Sequence, residues 1–92
     1  MRKLLFFYAP WCSPCKFFER EFMNPVLEQA DPIQVEMINV QENPTCADRY
    51  GVNRLPTAIL TDGEKIVDYV GMPDVEKAVN FLRGGEIGRA HV

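Results

Sequence analysis

The chain has 92 residues, 10 basic and 13 acidic side chains, one histidine and three cysteines. That length suits one domain, and 47% hydrophobic with 25% charged residues is ordinary globular composition, which excludes a disordered or collagen-like chain. A net charge of -3 without a Lys/Arg block argues against nucleic acid, and three cysteines are too few for a disulfide-stapled miniprotein.

The opening Met1-Arg2-Lys3-Leu4-Leu5-Phe6-Phe7 has the charged start of a signal peptide. Its apolar run stops at Ala9, short of the usual length, and Pro10-Trp11-Cys12 follows without a small-residue cleavage site. No apolar stretch reaches the length of a membrane span. The expectation is a soluble, cytoplasmic, monomeric protein whose thiols stay reduced unless they are working.

Leu4 to Ala9 is an unbroken apolar run, as in a strand buried on both faces. Ser13 offers a cap oxygen and Pro14 a pre-set first helical position, so a helix is expected there. Phe18, Phe22, Val26, Leu27 and Ala30 recur at helical spacing as its buried stripe. Pro25 should split or kink that helix near Asn24, and Asp31-Pro32 should close it. Val35, Met37, Ile38 and Val40 read as a second strand. Asn43-Pro44 and Gly51 bracket a short helix over 44–50. Thr57 to Thr61 and Ile66 to Val70 read as a hairpin with Asp62-Gly63 in its turn. Asp74 caps a last helix with Val75, Ala78, Val79 and Leu82 on one face, ended by Gly84-Gly85. Residues 1–85 then form the domain, and 86–92 a tail. The order β-α-β-α-β-β-α predicts an α/β fold: a parallel front pair with a right-handed crossover, and a small mixed sheet with helices on both faces.

The chemistry lies in Trp11-Cys12-Ser13-Pro14-Cys15-Lys16. Two thiols three positions apart can close a disulfide ring where a helix starts between them. Unpaired backbone N–H groups and the helix dipole favour a negative sulfur at Cys12, making it the attacking thiolate. Cys15, one turn in, is shielded and breaks the mixed disulfide. The competing reading is a zinc site made of Cys12, Cys15, Cys46 and His91. The third ligand is thirty-one residues beyond the second and the fourth falls in the tail, unlike finger spacings, so no metal is expected.

These residues resemble the thioredoxin superfamily, nearer to thioredoxins than to glutaredoxins. Trp11-Cys12-Ser13-Pro14-Cys15-Lys16 is similar to the family's active-site pattern, with Ser13 where glycine is usual. Asn39-Val40-Gln41-Glu42-Asn43-Pro44 and Arg49-Tyr50-Gly51-Val52 resemble its second strand and following helix. Leu55-Pro56-Thr57, Asp62-Gly63 and Val70-Gly71 resemble its cis-proline segment, hairpin turn and groove glycine. The likeness spans residues 3–83. It implies a thioredoxin fold and dithiol–disulfide exchange with Cys12 and Cys15 as the redox pair. It further implies that Pro56 lies cis beside Cys12 and presents the backbone of Leu55 to a substrate strand. Trp11, Leu55, Gly71 and Met72 would complete an apolar binding surface, with Ser13, Pro14 and Lys16 supporting the cysteines. No cofactor is bound in such a cycle; an external reductant, thioredoxin reductase or glutathione, supplies electrons, and disulfide-containing proteins are the substrates.

Two departures stand out. The family's first strand and helix have no counterpart before the active-site strand, so a minimal four-stranded sheet is expected. Phe6 and Met37 stand where the family carries a buried acid paired with lysine, which removes a charge that is costly to bury and with it a proton relay for Cys15. The leftover Cys46 reads as an inert, half-buried residue, with redox sensing as the sharper alternative, and His91 reads as a tail residue. Two other functions compete: a glutathione-fed enzyme with a site around Arg54, Thr57 and Asp74, and a non-catalytic binding module. An activated dithiol has no use in a pure scaffold.

Overall fold

A computed structural model of the chain describes residues 1–85; the tail expected over 86–92, with His91, lies outside the described residues. Strand β1 (Arg2–Tyr8) leads into α1 (Ser13–Phe18), a π-helical turn (Glu19–Met23) and α2 (Asn24–Gln29). A 3-10 turn (Pro32–Gln34) precedes β2 (Val35–Asn39), then α3 (Pro44–Arg49), the hairpin β3 (Thr57–Asp62) and β4 (Lys65–Tyr69), and α4 (Val75–Leu82). The four strands form one mixed sheet in the order β2-β1-β3-β4. β1 runs parallel to β2, with Leu4 opposite Val35 and Tyr8 opposite Asn39, and antiparallel to β3.

The unbroken apolar run of β1 is explained by its place in the middle of the sheet. Leu4 and Phe6 face one core, with Phe18, Phe22, Met23 and Val26 below and Ala78, Val79, Phe81 and Leu82 of α4 beside them. Leu5 and Phe7 point the other way, into a smaller core with Ile38, Ile59 and Ala47 of α3. Helices therefore cover both faces, as a strand with no polar face requires. Across the β1–β2 edge the Lys3 ammonium donates to the Glu36 carboxylate at 2.5 Å, and this hydrogen bond and its charge raise the Lys3 pKa above the ordinary lysine value.

Four local features differ from the sequence expectations. Cys12, not Ser13, is the N-cap of α1: its Sγ accepts the Cys15 N–H, and Ser13 already has a place inside the helix. Leu27, expected in the buried stripe, is exposed, whereas Met23 is fully buried. These two placements follow from Pro25. Lacking an N–H, it cannot bond the Glu21 carbonyl, and the chain widens before it, the Asn24 N–H reaching back to the Glu19 carbonyl. The wide turn keeps Phe18, Phe22 and Val26, spaced by four, in one line and swings Leu27 off it. The split near Asn24 is where proline placed it. Finally, Asn43 starts α3 without a side-chain capping bond, and the hairpin turns on Gly63-Glu64, with Asp62 still paired to Lys65.

Gly63 holds φ +66°, open only to residues without a β-carbon penalty. Asp74 does cap α4, its carboxylate accepting the Lys77 N–H at 3.1 Å. Arg2 ties the far end of α4 to β1: its guanidinium donates to the carbonyls of Phe81 and Gly85 and lies 4.4 Å above the Phe81 ring.

Phe22→Ala empties a site with no solvent exposure and is expected to cost about 3–5 kcal/mol, whereas Asp74→Ala loses only a cap, about 1 kcal/mol. Urea unfolding followed by circular dichroism measures both, and equal losses would contradict this division between core and cap.

Candidate active site

In a sheet with parallel strands, binding sites form beyond the carboxyl ends, where loops lead into helices. β1 ends at Tyr8, and the short segment Ala9–Trp11 delivers Cys12 to the start of α1. The Cys12 N–H donates to the Ala9 carbonyl at 3.1 Å, which fixes the entry turn. Cys12 itself is extended (φ -91°, ψ 105°), the conformation of a residue that caps a helix rather than joins it.

From there its sulfur accepts the Cys15 N–H at 3.2 Å. A cap side chain can reach the second or third helical N–H. The second helical residue is Pro14, which has none, so Cys15 alone supplies the donor. Cys12 and Cys15 are joined by a disulfide, with their Cα atoms 5.2 Å apart. Both residues are buried nearly alike, at 4% and 3% exposure, so burial does not separate an outer from an inner cysteine. What separates them is the groove. Cys12 lines an open groove of about 670 Å³ and Cys15 does not.

That groove is lined by Trp11, Ser13 and Pro14 around the start of α1, by Val52, Asn53, Arg54 and Leu55, and by Val40 and Ala47. Trp11 is 67% exposed, so it stands as a platform and not a core residue. The Leu55–Pro56 peptide bond is cis, and Leu55 bridges the groove and both cores. Of the other residues singled out in the sequence, Lys16 projects outward, exposed, and makes no ion pair with any described residue. Gly71 and Met72 follow Val70, which is buried in the same core as the two cysteines; both are exposed, and neither lines this groove. Val40, Ala47, Val52 and Asn53 were not foreseen as groove residues. The signal was their position: Val40 directly follows β2, and Val52-Asn53 directly precede the Arg54-Leu55-Pro56 segment.

Beneath the sulfurs the floor is apolar. Phe6 stands opposite Met37 in the β1–β2 register and is wholly buried, with its ring stacked between Phe18 and Tyr8 at 5.8 Å from each. Thr61 is the only buried polar residue among the described residues, and it is not in the core that holds the cysteines. Cys46 is half-buried against the smaller core and takes no part in the groove. Among the described residues no group of three or more His, Cys, Asp or Glu side chains could hold a metal ion, and none of their helices is long and apolar enough to cross a membrane.

The sequence profile of the Thioredoxin family matches residues 2–84. The chain belongs to the thioredoxin family. It is 32% identical over 84 residues to the thioredoxin of Chlamydia caviae, covering 86% of this chain and 78% of that one. With thioredoxin 1 of Synechococcus elongatus it shares 35% over 80 residues, covering 86% and 75%. Among solved structures, Fasciola hepatica thioredoxin superposes with a TM-score of 0.71 at 20% identity, covering 92% of this chain and 81% of that one, a likeness of fold. A mutant thioredoxin of Halobacterium salinarum superposes with a TM-score of 0.68 at 28% identity, covering 98% and 78%. The described four-stranded sheet is a minimal thioredoxin fold, and the chain is a protein-disulfide oxidoreductase of thioredoxin type carrying a Cys12–Cys15 redox disulfide.

Denatured without reductant, the oxidised protein is expected to take one iodoacetamide label, at Cys46, and three after reduction. Mass spectrometry counts them; three labels before reduction, or a label on Cys15 alone, would contradict the pairing.

Proposed function

We propose that the protein reduces disulfides of other proteins by dithiol exchange, with Cys12 as nucleophile and Cys15 as resolving thiol. The observation that carries this assignment is that Cys12 alone of the pair lines the groove. In the reduced enzyme, the Cys12 thiolate attacks one sulfur of a substrate disulfide. A Cys12–substrate disulfide forms, and the substrate's other sulfur leaves as a thiolate and takes a proton. Cys15, deprotonated, then attacks the Cys12 sulfur. The Cys12–Cys15 disulfide closes, the second substrate thiol departs, and two electrons have passed to the substrate.

The Cys15 N–H supports the first step by donating to the Cys12 sulfur, a contact that strengthens when the sulfur is charged. The second step lacks a buried carboxylate to take the Cys15 proton, because Phe6 occupies that place. In this reading the proton leaves by way of water at the groove or the departing thiolate. Apolar walls suit an extended substrate strand, and exposed Trp11 gives it a broad face to lie on.

The cycle requires no bound cofactor. An external reductant, thioredoxin reductase in this reading, returns the two electrons in the cytoplasm, and the enzyme acts as a monomer. Glutathione as reductant is less well supported. Of the three residues that could hold it, the Thr57 hydroxyl donates to the Arg54 carbonyl at 2.6 Å and the Asp74 carboxylate caps α4.

Cys12→Ser is expected to reduce insulin no faster than the reductant alone, while Cys15→Ser retains the first step and accumulates a mixed disulfide through Cys12. Non-reducing electrophoresis with tryptic mapping distinguishes the two. Trapping through Cys15 instead would reverse the assignment.

A further inference from the structure

Among the described residues lining the groove, Arg54 is the one that is charged; the others are apolar or neutral. It is exposed, and its guanidinium makes no ion pair with any described residue. Its backbone, by contrast, is fixed, since its carbonyl accepts the Thr57 hydroxyl. Arg54 also lines a second, adjoining hollow of about 240 Å³ with Tyr50, Thr57 and Tyr69. Arg54 is therefore shared, with Val52 and Asn53, by the linings of both depressions.

We propose that Arg54 is a specificity-determining residue that selects disulfide-bearing protein segments with an acidic side chain close to the reacting cysteine. This rests on the reduction of protein disulfides proposed above. A guanidinium offers a carboxylate two parallel N–H donors, and covering the groove with a strand removes water from around the pair, which strengthens their attraction. A charge at the rim of such a site acts chiefly on the rate of productive encounter, and salt screens it. The long-range field works the other way: the chain carries a net charge of -3 and repels acidic peptides at a distance. A preference for acidic substrates thus has to arise locally, and Arg54 is the cation in place to produce it.

The test uses the reduced full-length protein and three disulfide-linked peptides that differ only in the residue beside cysteine, Asp, Asn or Lys. The expected order of kcat/KM is Asp over Asn over Lys, with about three- to tenfold between the extremes at low salt, shrinking towards unity in molar NaCl. Arg54→Gln is expected to abolish the order, Arg54→Glu to reverse it and Arg54→Lys to keep it in weaker form; thermal unfolding confirms that each variant is folded. Equal rates for the three peptides with the parent protein, or an order unchanged in Arg54→Gln, would overturn the proposal while leaving the reductase reading intact. If only the rate with glutathione disulfide depended on residue 54, the site would be a glutathione site and the proposal would fall. Reduction of none of the peptides would sink the reductase reading and the proposal together.

Discussion

In the proposed mechanism, one backbone N–H prepares the reactive sulfur. The Cys15 amide points at the Cys12 sulfur because Cys12 sits outside the helix, in extended conformation, and Pro14 removes the only competing donor in reach. A serine or aspartate at such a cap would satisfy the same amide and stabilise the helix without consequence. A cysteine there makes helix capping and thiolate stabilisation the same interaction. The donor exists only while the first turn of α1 is formed, so in the proposed mechanism the folding of α1 and the readiness of the nucleophile are coupled.

The rest of the fold keeps that turn in place. β1 is buried on both sides and ends beside the entry turn, so the two cores act on one strand, and the strand positions the cap. Both cysteines are embedded in the larger core with Phe6 and Phe18. The apolar Phe6–Met37 pair suits a domain of this size, where burying charge is expensive and a stacked ring is not. In the proposed cycle the same apolar pair offers Cys15 no interior proton relay, and the proton leaves by the groove.

Much of this was legible in the sequence because the signals were local and redundant. Every strand, the break near Asn24 and the cap of α4 have residues whose chemistry permits few alternatives: an apolar run, an interior proline, an aspartate before an amphipathic segment. The cysteine pair could be placed at a helix start for the same reason. The identity of the cap was not legible, since serine is the better hydrogen-bond acceptor on its own, and only the backbone geometry shows that Cys12 holds the cap position. Leu27 lies off the buried stripe because a single helical period does not include the wide turn that proline induces. The full lining of the groove is not legible in the sequence, because Val40, Ala47 and Val52 come from three separate segments that only the tertiary fold brings together. In the sequence Arg54 reads as a possible glutathione contact; in the fold it is the one charged residue among the described residues that line the groove.

The most direct measurement is the pH dependence of Cys12 alkylation in the reduced Cys46→Ser protein, with site-resolved mass spectrometry to separate Cys12 from Cys15. With the Cys15 N–H donating to its sulfur, Cys12 should ionise below a free cysteine, whose pKa is about 8.5, and react faster than an unstructured thiol at neutral pH. A Cys12 that ionises at or above the free value, or reacts no faster than Cys15, would contradict the role given to that amide.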